Sequence, residues 1–349
     1  MKKNSLEYRR WKIKQNKKNL LRRTKRKKQK KHVSLPSYEK KAIQNNEYNI
    51  RTKEYEFHAP LVFSFINNSE GTIEFFNKLI SFICNKRNFG RKLFIDISSI
   101  NCLTIDALMY LLAIVNNLNT NFKGKYSFSG NEPANETVKK LFSESGFYHF
   151  VRRQSQGPLS RNNDNVQIIS GERYNTESAK AMSDFVSEKA NIDVRKCVFL
   201  YNMFIELMSN TQRHAYPDAN PVMYSRWYCF AEYDGHNIIS FSFMDTGAGI
   251  PATVKKNFSE RIDFLGIKSD DKYVISALNG DFRTSTELPY RGKGLPTIRD
   301  LCCKQKIENL RIITNKADVS VLEETYRSDN MSRSLQGTLY YWQVNLSNF

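Results

Sequence analysis

Three polar side chains recur every fourth residue along an otherwise apolar segment, Phe204-Ile-Glu206-Leu-Met-Ser-Asn210-Thr-Gln-Arg213-His214. This spacing stacks Glu206, Asn210 and His214 on one face of a helix, with Phe204, Ile205, Leu207 and Met208 on the packed side. A row of carboxylate, amide and imidazole is costly inside a fold unless it meets a ligand, a metal or water. Taken alone, the row reads most simply as a solvent-facing stripe, because short motifs are weak in isolation. The residues that follow it shift that balance.

Downstream, two apolar segments, Met223 to Tyr233 and Asn237 to Met244, flank Asp234-Gly235, a strong hairpin signal. The second segment ends in Asp245-Thr-Gly247-Ala-Gly249-Ile-Pro251. A carboxylate fixed at a strand end can accept an amine hydrogen bond, and glycines beside it let a flat ring lie close. An ordinary loop is the competing reading. About forty polar residues, 252–291, then read as irregular chain of a length usual for a lid. Arg291-Gly292-Lys293-Gly294-Leu295-Pro296 opens a helix to about Cys303, where backbone N–H groups and the helix dipole suit a phosphate. Leu310 to Thr314 and Gly337-Thr338 to Val344 read as closing strands.

In this order the motifs resemble the GHKL ATPase fold, shared by histidine kinases, the gyrase B subunit, a family of heat-shock chaperones and anti-sigma-factor serine kinases. The resemblance covers roughly residues 175–346. The Glu206-x-x-x-Asn210-x-x-x-His214-Ala-Tyr run is most similar to the anti-sigma-factor kinase form of that family's asparagine box. Asp245-x-Gly247-x-Gly249 matches the first glycine box, Gly292-x-Gly294-Leu295 the second, and Gly337-Thr338 the final strand motif. The resemblance implies ATP and Mg²⁺ as cofactors, with Asn210 on the metal and Asp245 accepting the adenine amine, supported by Thr338. It implies that Gly247 and Gly249 shape the adenine pocket and that Gly292 and Gly294 cradle phosphate, with Lys293 adding charge. Arg213, about one turn beyond Asn210, is a candidate phosphate contact. His214 is another, or a hydrogen-bonded structural histidine. Glu206 is the candidate general base for hydrolysis or phosphotransfer, since a Glu there polarises the attacking water or hydroxyl in catalytic members. In other members it only supports the Mg²⁺ shell.

The first half alternates strand and helix signals, which implies a smaller α/β layer over residues 56–153. Strands are expected at Leu61 to Ile66, Lys92 to Ile97 and Lys125 to Ser129, and helices at Gly71 to Cys84, Thr104 to Leu118 and Asn135 to Ser145. Phe94-Ile-Asp96-Ile-Ser-Ser-Ile-Asn-Cys-Leu103, followed by an apolar helix, and Val138 to Tyr148 are similar to the STAS domain of anti-sigma-factor antagonists. Ile105 stands where that family often has a phosphorylatable serine. The resemblance therefore implies a docking module, with Thr104 a shifted candidate for modification. Residues 154–171 read as a linker, and residues 172–349 as the GHKL-type domain with Thr176 to Lys189 and Val194 to His214 as helices.

Charge is unevenly placed. Of the formal +19, residues 1–32 supply +15 through 16 Lys or Arg against Glu7 alone, and the remainder is close to balanced. Residues 1–55 are expected to be a disordered basic tail and lead-in. Residues 2–31 would attract RNA or DNA with steep salt dependence; an anionic membrane and a purely solubilising role are the alternatives. The six cysteines show no zinc spacing and read as reduced small hydrophobes. No apolar run spans a bilayer and no signal-peptide core precedes the chain, so a cytoplasmic protein is expected.

Three functions remain open. The first is a regulatory ATP-binding protein whose slow hydrolysis and lid closure control partner or nucleic-acid engagement. The second is a serine/threonine kinase of the anti-sigma type acting on a STAS-like partner. The third is a nucleic-acid-binding protein with an ATP-sensing dimerisation domain; a homodimer is a candidate assembly. A sensory histidine kinase is disfavoured, because His32, His58, His149, His214 and His236 do not lie in a long coiled-coil pattern.

Overall fold

The computed structural model describes residue 12, residues 47–151, 164–215, 223–259, 262, 264, 266–282 and 294–349. The chain divides into two compact units, Met1–Glu56 and Phe57–Phe349. β1 (Tyr48–Asn49) pairs antiparallel with β2 (Glu54–His58) through Tyr48–Tyr55 and Asn49–Glu54, residues of the first unit. The expected basic tail lies outside the described residues, apart from residue 12.

The second unit is mixed α/β, as the alternating patterns predict. Its first half holds β3 (Val62–Phe63), α1 (Ser69–Cys84), β4 (Lys92–Asp96), β5 (Cys102–Leu103), α2 (Ile105–Asn119), β6 (Ser127–Gly130), α3 (Glu136–Glu144) and α4 (Phe147–Val151). β4 pairs with β6 and β3 with β5, both in parallel. The strand expected over Leu61 to Ile66 shrinks to two residues, because the Ser64 hydroxyl turns the chain by accepting the N–H groups of Ile66 and Asn67. Asp106 stands in the first turn of α2. It is buried, accepts the Phe65 N–H at 2.8 Å, and burial raises its pKa.

The second half is built on a five-stranded antiparallel sheet in the order β10-β11-β9-β8-β7. These strands are β7 (Asn165–Gly171), β8 (Trp227–Tyr233), β9 (Ile238–Asp245), β10 (Glu308–Leu322) and β11 (Thr325–Asn345). β7 falls within the stretch whose composition reads as linker; its buried Val166 and Ile168 join it to the sheet. α5 (Thr176–Ala190), α6 (Val198–Asn210) and α9 (Gly294–Cys303) cover one sheet face. Their shared core includes Phe185, Phe204, Phe241, Phe243, Trp342 and Ile298. α1 and α2 lie on the opposite face, against β11 and against β8 and β9.

Two segments differ from the sequence reading. The polar stretch 252–291 is not irregular among its described residues. α7 (Ile250–Asn257) and α8 (Asp270–Asn279) fold within or overlap it and share a small core of Val254, Ile262, Tyr273, Ala277 and Phe282. Apolar residues spaced for one helix face build α8, and Gly280 ends it in the left-handed conformation. The closing strands are also much longer than expected. Ala317, Val319 and Val321 alternate with polar residues, and a two-residue turn at Glu323-Glu324 reverses the chain, with Leu322 opposite Thr325. β11 pairs with β9 only over Thr338 to Asn345, so the rest of this hairpin runs past the end of β9.

Candidate functional site

The end of β9 holds the Asp245 carboxylate in place. The ladder sets Asp245 opposite Trp227 on one side and Thr338 on the other. Asp245 is 6% exposed and Thr338 is 4% exposed. The Gly247 N–H donates to Asp245 Oδ1 at 2.8 Å and, among the described residues, is the carboxylate's one hydrogen-bond donor. Burial with a single donor pushes the carboxyl up from its ordinary 3.8 to about 7. The group is therefore poised near neutrality and short of donors.

The loop after Asp245 is locked from two directions. A Cβ on Gly247 would overlap the Ala215 carbonyl, and Ala248 N–H donates to that carbonyl at 2.6 Å. Ala215 ends the π-helical turn Thr211–Ala215 that continues α6, so the opening helix and the glycine loop meet there. Gly249 takes φ +88° against the Asn315 amide. Asn315 sits at an irregularity in the β10–β11 ladder; it donates to the Ala248 carbonyl at 2.9 Å and accepts from the Ala252 N–H at 3.3 Å.

Thr338 and Thr314 hydroxyls lie 3.1 Å apart, and Thr314 also donates to the Gly337 carbonyl and accepts the Ile250 N–H. Thr314 and Asn315 escape motif reading, because neither belongs to a glycine box. The signal for Thr314 is its hydroxyl closing the run Ile312-Ile313, with side chains alternating across the sheet.

α6 presents Glu206 and Asn210, both half-buried, and the Asn210 amide hydrogen-bonds the Glu206 carboxyl. Desolvation raises Glu206, against the opposing charge of exposed Arg213. A Cβ on Gly294 would collide with the Glu206 carboxyl, so the start of α9 packs directly on this acid. Glu206 thus stands between the asparagine row and the second glycine motif. Leu295 is half-buried beside it in the core.

The structure therefore brings Glu206, Asn210 and Gly294 together, and Asp245, Gly247, Gly249 and Thr338 together. Tyr340 is buried on the same sheet face, and burial above all raises its phenol pKa, with the Asp245 and Glu206 charges adding to the rise. Gly292 and Lys293 lie outside the described residues, as does the His214 side chain. No cluster of three metal-ligating His, Cys, Asp or Glu side chains occurs among the described residues. The amide–carboxylate pair of Asn210 and Glu206 is a donor set suited to a hard cation that keeps most of its waters, as Mg²⁺ does. All six cysteines are free. No described helix is long and apolar enough to cross a membrane. Neither a protein-family model nor a curated protein matches the chain.

Proposed function

We propose that residues 164–349 bind a magnesium–adenine nucleotide in the manner of the GHKL ATPases, as a regulatory ATP-binding module. One observation carries the reading: a buried carboxylate at the end of β9, raised to about 7, with a single amide donor and two locked glycines beside it. An amine donor would satisfy that carboxylate and favour its ionised form, which an exocyclic adenine amine supplies. The order of elements supports the same reading, with the Asn210 row on a helix packed on the sheet and Gly294 opening a second helix against it.

In this reading Asn210 holds the metal, Thr338 backs Asp245, and the start of α9 faces phosphate. Mg²⁺ held by Asn210 would neutralise phosphate charge. Glu206 orients the attacking water; burial raises its pKa, and the Arg213 charge and the Asn210 hydrogen bond oppose that rise. Hydrolysis resets the switch, in the cytoplasm, where ATP is abundant. The basic segment 1–32 adds a polyanion partner, RNA or DNA, by charge density alone.

The test is equilibrium titration of the full chain with ATP and Mg²⁺, alongside Asp245→Asn. Wild type should bind and the variant should lose most of its affinity. Absent binding by wild type, or equal binding by the variant, would refute the assignment. Labelled ATP incubated with the protein separates outcomes: released phosphate marks hydrolysis, and labelled protein marks the kinase alternative.

A further inference from the structure

Two turns meet where β4 and β6 begin, and they carry cations without acids. Segment 85–95 holds Lys86, Arg87, Arg91 and Lys92, segment 116–131 holds Lys123 and Lys125, and neither contains Asp or Glu. Backbone pairing joins the segments: Lys92 lies opposite Ser127, and the Gly90 N–H donates to the Lys125 carbonyl at 2.8 Å. Lys86, Arg87, Lys123 and Lys125 are exposed. The same turns gather aromatic rings at this end. The Phe89 ring centre lies 6.3 Å from that of Phe122 and 5.7 Å from that of Tyr126, and all three residues are half-buried. The Tyr126 hydroxyl donates to the Ile83 carbonyl at 2.7 Å, which fixes that ring against the end of α1. The Lys125 ammonium sits 4.9 Å from the centre of the Phe89 ring and 5.7 Å from that of Phe122.

Cations just beyond the C-terminal ends of α1 and α2 suit the helix dipoles, which accounts for part of the charge. It does not account for the rings. An exposed lysine lies over Phe89 and Phe122, so those ring faces are reached from solvent. Accessible aromatic faces among cations match a single-stranded nucleic acid, whose phosphates meet the charges and whose bases stack on the rings. An anionic membrane fits less well. Neither segment, both fully described, holds an exposed large apolar side chain to enter a bilayer.

We propose that the end of the first half where β4 and β6 begin is a surface for single-stranded nucleic acid. Lys86, Arg87, Lys123 and Lys125 meet phosphates, and a base stacks on Phe89 or Phe122 in the place of the Lys125 ammonium. That exchange frees Lys125 for a phosphate of the same strand. The site is separate from the ATP pocket and from the basic segment 1–32, and it stands without either.

The experiment uses the full chain, so the basic segment is present in every arm. Labelled oligo-uridine and oligo-thymidine strands are titrated across a salt series into wild type, Lys86→Ala/Lys123→Ala and Phe122→Leu. The double lysine variant should weaken binding and flatten the plot of log affinity against log salt by about 0.7 for each lost phosphate contact. Phe122→Leu should weaken binding by about tenfold and leave the salt slope unchanged. Strands carrying 5-iodouracil, irradiated on wild type, should crosslink to peptides bearing Phe89, Phe122 or Tyr126. The lysine substitutions are exposed and should leave the urea midpoint in place, which separates lost contact from lost fold. Unchanged affinity and slope in the lysine variant, or crosslinks confined to residues 1–32, would overturn the proposal. So would a duplex bound as tightly as the strands, or lysine-dependent binding seen only with phosphatidylserine vesicles. Failure of ATP binding bears on the pocket alone and leaves this surface standing.

Discussion

The Asp245 carboxyl should leave a signature in the free protein before any ligand is added. Its pKa rises from 3.8 unfolded to about 7 folded, and the group is nearly fully buried. The folded state therefore holds the proton more tightly than the unfolded chain. The stability linked to that proton is fully present below about pH 4 and is lost as pH rises toward 7. At about 1.36 kcal/mol per unit, the whole displacement is worth roughly 4 kcal/mol, and the interval from about pH 5 to pH 8 roughly 3 kcal/mol. Asp245→Asn keeps an oxygen to accept the Gly247 N–H and carries no titrating proton. Urea unfolding of both proteins across that interval isolates the effect, because other titrations cancel in the difference. The variant should gain on wild type by about 3 kcal/mol as pH rises. Parallel curves would show that Asp245 ionises near its ordinary pKa, and the desolvation argument would fall. Nucleotide adds the converse: an amine donor selects the ionised carboxylate, so ATP affinity should climb with pH up to about 7 and then level.

Three further outcomes follow from the geometry. Glu206→Gln should retain ATP affinity within a few fold and lose turnover by about a hundredfold or more, read as released phosphate; unchanged turnover would remove Glu206 as base. Asn315→Ala should destabilise by about 2 kcal/mol in denaturant unfolding, since it cuts the bonds to Ala248 and Ala252 and strains a φ of +49°. Asn315→Gly should cost less, because the backbone conformation is kept. Arg311→Met should lose about 3 kcal/mol by leaving the largely buried Asp318 without its bidentate partner, whereas adding Asp318→Leu should recover much of the loss.

The helical pattern around Glu206, the Asp245 strand end and the Gly294 helix start were all legible, because each is a local matter of spacing and turn chemistry. The π-helical turn was not: Thr211 to Ala215 continues the helix in sequence, and only contact with Gly247 shows why its geometry changes. The length of β10 and β11 was also hidden. Residues 325–336 are largely polar, and they are strand because they pair with a partner across the turn and pack on α1. The α8 helix was masked by the overall polarity of the segment around it.

The placement of α1 and α2 on the outer sheet face has a consequence for dissecting the protein. Tyr228, Phe230, Met244, Ile313 and Leu339 are all nearly fully buried, and the register puts their side chains on the face away from the Asp245 set. Glu70 grips the Ser332 amide and hydroxyl, Asn77 donates to the Ser334 carbonyl, Tyr110 to that of Gln336, and Asn116 to the Tyr228 hydroxyl. A fragment beginning at residue 164 would carry the whole candidate site yet lay this face open to water. Such a fragment should aggregate or lose its ordered sheet. The first half thus covers the outer sheet face of the second, and a piece expected to fold on its own should include both.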